Sequence, residues 1–373
     1  MKQILLLIIS ATFLFSNDIS GLSYFEYSDN QFSLSRTYLT YSNKISDDLS
    51  FKFQTDVGKV GNDNRWTAFL KKAQLNWKIN NDVNVSMGLI GMNMFNIQEK
   101  NWGNRFLFKS AMDANKYSAS ADLGFSVGYD FGPISANLMM SNGEGYKNSV
   151  VDENTKISLQ LVHGEKRLDK NDGYNLGMVY STLTIDEVAA IEDSYIIVDV
   201  ITGGLCEDGN LLDQQSCEAA NTCGANLDTT CLWTPTNGSD IADWSQQVEV
   251  TGTDFTGEKT ESVVGIFGGW SANNMRIGAE FNTQTISEVG SEKLNNSLSS
   301  IYLNHKLQDQ LSIFIRMDSV TSENIEEGDV VEDKNDINMF GVIWNPTKGL
   351  TICPNIIQDD GEDNVAVNFQ FKF

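Results

Sequence analysis

The chain closes on "VAVNFQFKF", residues 365–373, where apolar and polar side chains alternate without interruption. At a period of two, Val365, Val367, Phe369, Phe371 and Phe373 share one strand face, and Ala366, Asn368, Gln370 and Lys372 share the other. The stripe ends on an aromatic residue although the chain carries a formal charge of −24. A strand this two-faced needs an apolar neighbour on one side, which a second sheet or a lipid bilayer can supply.

The other end of the chain narrows that choice. "MKQILLLIISATFLFS", residues 1–16, has Lys2 and then an apolar run from Ile4 to Phe15. That run is too short to span a bilayer and reads as a secretory signal peptide cleaved near Ser16. The cleavage region holds no cysteine, which argues against a lipoprotein anchor. No later apolar run is long enough for a membrane helix, and four prolines with thirty glycines suggest neither disorder nor collagen. The acidic balance makes nucleic acid a poor partner, because phosphate binding needs clustered Lys and Arg.

Period-two segments fill the interior. "LSFKFQTDVG" sets Leu49, Phe51, Phe53 and Val57 against Lys52, Gln54 and Asp56, and "MRIGAEFNTQ" sets Met275, Ile277, Ala279 and Phe281 against Arg276, Gly278, Glu280 and Asn282. Sixteen such strands are expected, near 22–28, 32–41, 49–58, 66–79, 83–91, 118–130, 134–142, 156–163, 174–184, 261–271, 275–285, 297–306, 311–319, 337–345, 350–357 and 364–373. Connections after even-numbered strands are short ("SNKISDD", "NND", "DFGP", "GEKRLDKND", "SANN", "LQDQ", "NPTKG"), while residues 92–117, 143–155, 185–260, 286–296 and 320–336 follow odd-numbered ones. A transmembrane β-barrel sorts its connections this way, with short periplasmic turns and long outer loops, and a soluble sandwich has no reason to. The expected fold is therefore all-β, an antiparallel transmembrane barrel over 17–373, with 185–260 a cysteine-containing outer insertion. Trp77, Tyr129, Tyr174, Trp270 and Trp344 lie beside the short turns, where an interfacial girdle would sit. Lys71 shares the lipid-side parity of Leu75 and Trp77 and is expected to reach lipid head-group phosphates.

Three stretches, "LSYFEYSDNQFSLSRTYLTYSNKISDDLSFKFQTDVG", "LKKAQLNWKINNDVNVSMGLIGM" and "GFSVGYDFGPISANLMMSNGEG", resemble in order and spacing the first half of phosphate-selective porins of the O and P type. Phe369, Phe371 and Phe373 resemble the outer-membrane assembly signal of bacterial barrels, which is read by the barrel-assembly machinery. The resemblance implies a sixteen-stranded porin, trimeric, with the third long loop folded inward as a constriction. Arg36 stands alone where those porins carry several arginines on the second strand, and Lys109–Ser110 replaces an Arg-Ser pair. The implied activity is thus that of a general porin.

Few residues suggest covalent chemistry. His163 and His305 lack a nucleophile motif, and no phosphate-loop, dinucleotide, zinc-protease or calcium-loop pattern appears. No enzyme activity and no cofactor are expected. Cys206, Cys217, Cys223 and Cys231 lie within one stretch of 185–260; their spacings lack a C-x-x-C pair, and export favours two disulfides over zinc, with connectivity open. Cys353 is left over and points to the lumen by parity. Residues 185–260, 320–336 and 359–363 carry net charges of −14, −6 and −4, either a solvated surface or a site for Ca²⁺ or Mg²⁺ bridging lipopolysaccharide.

Parity assigns Lys52, Lys72, Lys78, Lys156, Arg276, Arg316 and Lys372 to the lumen against Asp56, Asp122, Glu280 and Asp318, a balance of +3. The constriction adds Lys100, Arg105, Lys109 and Lys116 against Glu99 and Asp113. The expected function is passive diffusion of small hydrophilic solutes with a weak preference for anions. The alternative is a surface adhesin or receptor that uses the cysteine loop on a barrel anchor.

Overall fold

The computed structural model describes residues 17–59, 66–147, 154–188, 196–199, 231–235, 242–248, 256–288, 291–326 and 329–373. The expected signal peptide, together with Cys206, Cys217 and Cys223, lies outside the described residues, as does the side chain of Cys231. All sixteen strands form, and they close into one antiparallel barrel. In chain order they are β1 (Asn17–Ser28), β2 (Gln31–Lys44), β3 (Leu49–Lys59), β4 (Trp66–Lys78), β5 (Val83–Gly91), β6 (Ala121–Phe131), β7 (Ile134–Ser141), β8 (Thr155–Gly164) and β9 (Gly173–Val188), then β13 (Thr256–Ala272), β14 (Met275–Glu288), β15 (Leu294–Gln308), β16 (Leu311–Glu326), β17 (Asp329–Thr347), β18 (Leu350–Asp359) and β19 (Glu362–Lys372). Between β9 and β13 in sequence, β10 (Ile196–Asp199), β11 (Cys231–Pro235) and β12 (Ala242–Val248) make a separate three-stranded sheet in the order β10-β12-β11. The chain accordingly divides into two compact units, the barrel and residues Glu187–Gly257.

Exposure is inverted relative to a water-soluble protein. On β14, Ile277 and Phe281 are exposed while Glu280 and Asn282 are buried, and on β19 Val365 and Phe371 are exposed while Ala366, Asn368 and Gln370 are buried. Apolar side chains outside and polar ones inside are stable only where the outer solvent is hydrocarbon. The aromatic residues beside the short turns, Trp77, Tyr129, Tyr174, Trp270 and Trp344, all face outward and are exposed.

Turn chemistry fits the backbone. Among the described residues, three two-residue turns carry positive φ at both central positions: Asp29–Asn30 (50° and 59°), Asn273–Asn274 (52° and 65°) and Asp360–Gly361 (47° and 80°). Such turns match the twist of paired strands, and Asn, Asp and Gly tolerate their left-handed backbone best. Residues 320–336, expected as a loop, instead continue β16 and β17 in register as far as Glu326↔Asp329. Val320, Thr321, Ile325, Val330 and Val331 are β-branched and favour extended pairing.

Closure joins β1 to β19 from Leu22↔Lys372 to Tyr27↔Val367, and Gly21 and Phe373 exchange backbone N–H···O bonds at 3.1 Å each way. The Phe373 ring lies where a side chain on Gly21 would project. Changing Gly21→Leu should therefore lower the fraction of protein that migrates fast on an unheated gel, the sign of a closed barrel. A parental fraction would show that closure does not need this ring seat.

Candidate functional site

Residues 92–120, between β5 and β6, fold into the barrel and carry two short helices, α1 (Asn96–Trp102) and α2 (Ala111–Ala114). What holds them there is a second hydrophobic core inside the lumen. Met94, Phe95, Ile97, Ala111, Met112 and Tyr117 pack on inward-facing Val162, Val179, Val263, Phe267, Leu298 and Val320. Trp102 and Phe106 pack in another cluster with Tyr24, Tyr38, Tyr302, Phe314, Met339 and Cys353. Each large apolar side chain so buried contributes about 1.5–3 kcal/mol.

Polar contacts fix the position of the loop along that surface. Arg316 is 1% exposed and donates to both carboxylate oxygens of Asp318 at 2.5–3.1 Å and to the backbone oxygen of Lys109 at 2.7 Å. Its guanidinium also lies 4.9 Å from the Trp102 ring and 5.4 Å from that of Phe108. Arg276 donates to Trp102 O at 2.9 Å, Asn101 and Asn175 exchange two bonds of 2.8 Å, and Asn104 bonds Asn304. At the loop's start, Asn93 Nδ2 donates to Asn137 Oδ1 at 2.9 Å and Ser158 Oγ donates to Asn93 Oδ1 at 2.7 Å.

The loop thus packs on the inner faces of β8, β9 and β13–β18, touches β2 at Tyr38 and β7 at Asn137 and Met139, and leaves much of the wall of β3–β6 uncovered. There Lys52, Gln54, Lys72, Gln74, Asn76 and Ser86 keep partial exposure. Arg105 projects from the loop between Glu99 and Asp113, at 3.1 Å from each, and Lys109 lies 3.6 Å from Asp113. Burial pushes the pKa of the Lys100 and Lys109 ammonium groups down; the Asp113 carboxylate opposes this at Lys109. On the wall, Arg36 meets Asp56 at 2.6 Å, and Asp56 also accepts from Tyr146 OH at 3.2 Å.

Lys71 corrects the parity reading. A β-bulge sets Gln54↔Lys72 beside Thr55↔Leu70, so Lys71 is the extra residue of β4 and turns into the lumen. It is 8% exposed, donates to Tyr38 OH at 3.1 Å, and sits 4.6 Å from the Tyr38 ring and 5.3 Å from the Tyr146 ring. It does not reach lipid head groups. Tyr146 itself belongs to the connection after β7, which bends inward: Gly143 N–H donates to Asp122 at 2.6 Å and Tyr146 N–H to Ala121 O at 3.0 Å.

The structure separates the expected pore residues into groups. Arg36, Lys52, Lys72, Lys100, Arg105 and Lys109 face the uncovered side. Arg316 and Lys156, read as pore-lining, lie buried under the inserted loops, Lys156 against Ser118 Oγ at 3.4 Å, and Arg276 serves as a loop anchor as well as a wall residue. Lys116 is exposed at a left-handed position with φ 61°. The inner-face acids are engaged: Asp56 by Arg36, Asp122 by backbone N–H groups, Asp318 by Arg316, and Glu280 by Asn282 at 2.9 Å. Lys52, Lys72 and Lys100 have no carboxylate at ion-pair distance among the described residues.

The closed sixteen-stranded barrel is shared with solved bacterial outer-membrane proteins. OmpT, an outer membrane protein of Vibrio cholerae in its trimer form, aligns over 96% of this chain and 99% of that chain with a TM-score of 0.59 at 8% identity. The fold is that of the bacterial outer-membrane porins. OmpF of Salmonella typhi in complex with daunomycin gives 0.57 at 10% identity over 96% and 97%, and the anion-selective porin from Comamonas acidovorans gives 0.54 at 8% over 96% and 100%. No protein-family model and no curated protein matches the sequence. The likeness shows the porin fold and leaves the phosphate-selective family unconfirmed.

Proposed function

We propose that this protein is a non-enzymatic porin of the bacterial outer membrane that passes small hydrophilic solutes by diffusion and prefers anions weakly. The observation that carries the reading is the asymmetry of the uncovered passage. Asp56, Glu99, Asp113 and Asp130 pair with Arg36, Arg105, Lys109 and Lys166, and Asp122 is held by backbone N–H groups, while Lys52, Lys72 and Lys100 have no carboxylate at ion-pair distance among the described residues. A narrow passage with low-dielectric walls focuses that field, whereas charges on outer loops are screened within about 8 Å at physiological salt. The fold shared with a barrel solved in a trimer form supports a homotrimer here, set in lipid and lipopolysaccharide.

The compact unit Glu187–Gly257, with its own sheet, favours a second reading in which that unit binds a surface partner. Deleting 190–255 separates the two. Proteoliposomes with the shortened chain should swell in isosmotic small sugars as fast as those with the parent. If parent vesicles do not swell, the diffusion reading fails and the barrel is an anchor.

A further inference from the structure

We propose that the lumen contains a binding subsite for a hydroxylated organic monoanion, such as a sugar acid, between α1 and the wall of β4–β8. The inference rests on the porin reading and names a solute class for it. A cavity of about 250 Å³ lies there, next to a wider one of about 680 Å³ toward the short turns; Asn84 and Ser86 line both. The smaller volume equals roughly eight waters' share of the liquid, at about 30 Å³ each, which accommodates a chain of about six hydroxylated carbons.

The lining decides the chemistry. Several of its amides spend only half of their hydrogen-bonding capacity on the protein. Asn96 Oδ1 accepts from Gln160 at 2.8 Å and Asn137 Oδ1 accepts from Asn93 at 2.9 Å, which leaves the Nδ2 donors of Asn96 and Asn137 without a protein partner among the described residues. Gln74 and Gln160 donate through Nε2, to Asn76 Oδ1 and to Asn93 O and Asn96 Oδ1, so their Oε1 acceptors remain. Asn84 keeps both functions. Free donors and free acceptors thus alternate around one small space.

Hydroxyl groups both donate and accept, so they satisfy such a surface. Chloride or inorganic phosphate would face the amide oxygens with no proton to offer, apart from a phosphate's residual O–H. Lys100 supplies the cation at the loop side, with no carboxylate at ion-pair distance among the described residues. The wall carboxylate, Asp130, is held by Lys166 at 2.7 Å and by Ser135 at 2.6 Å, so its charge is matched. A carboxylate on Lys100 with hydroxyls on the amides uses every one of these groups.

Single-channel recording with gluconate, glucose, hexanoate or phosphate as probe tests this, alongside equilibrium dialysis of gluconate with the folded barrel in detergent. Gluconate should block at least about tenfold more tightly than any of the other three. Lys100→Gln should weaken gluconate about tenfold and leave glucose unchanged, whereas Asn96→Leu should weaken both. Hexanoate or phosphate binding as tightly as gluconate would overturn the proposal, as would equal losses for gluconate and glucose in Lys100→Gln. If no current flows but dialysis still finds gluconate bound in a Lys100-dependent way, the subsite stands and the porin reading falls.

Discussion

Changing Arg316→Met should raise single-channel conductance and current noise, and should open the inserted loop to trypsin after Arg105 and Lys109. Arg316 and Asp318 have side chains 1% and 0% exposed, so removing one leaves an unpaired buried charge, at a cost of about 3–5 kcal/mol. The variant also loses the donor to Lys109 O and the stack on Trp102 and Phe108. The cost falls on the loop, because the strands around Arg316 keep their backbone ladders from Ser297↔Thr321 and Leu311↔Trp344 onward. Replacing both partners, Arg316→Met with Asp318→Leu, should recover much of the protease resistance, since an apolar pair of similar volume is often neutral against a buried ion pair. Parental conductance and protease resistance in Arg316→Met would mean that the two apolar clusters alone hold the loop.

The second large effect is expected from Arg105→Gln combined with Lys109→Gln. In the parent these two cations balance Glu99 and Asp113, all four on the loop. The double variant removes both cations and leaves both acids unpaired, a local change of two charges on the inserted loop. At separations near 8 Å and an effective dielectric constant of about 40, each charge is worth about 1 kcal/mol to a passing ion. The chloride-to-potassium permeability ratio should therefore fall by roughly tenfold or more, moving the reversal potential toward potassium. An unmoved potential would show that this loop does not face the ion path.

Much of the barrel was legible because a lipid-facing strand must alternate. The residues that stack outward on β14 and β19 are the ones parity named, and short turns such as Asn273–Asn274 announce themselves through Asn and Gly. Lys71 was misread because a bulge depends on how two strands pair, which the alternation of one strand does not record. Arg316 was placed on the correct face, yet its burial depends on a loop more than two hundred residues earlier in the chain. A signal for that loop's seat was nonetheless present. Val162, Val179, Val263, Phe267 and Leu298 put apolar side chains on the inner parity of strands whose outer parity is apolar too. A water-filled lumen gives such residues no reason to face inward, so a run of them marks a wall that something covers. The inward turn of Tyr146 had no comparable signal, since "GEGYK" reads as an ordinary loop.

The most direct test of the account is the zero-current potential of the parent barrel in a planar bilayer under a KCl gradient. Discrete channel openings are expected with a modest excess of chloride over potassium permeability, although the chain has a formal charge of −24 and a pI near 4.3. Clear potassium selectivity, or the absence of any conductance from folded protein, would contradict it.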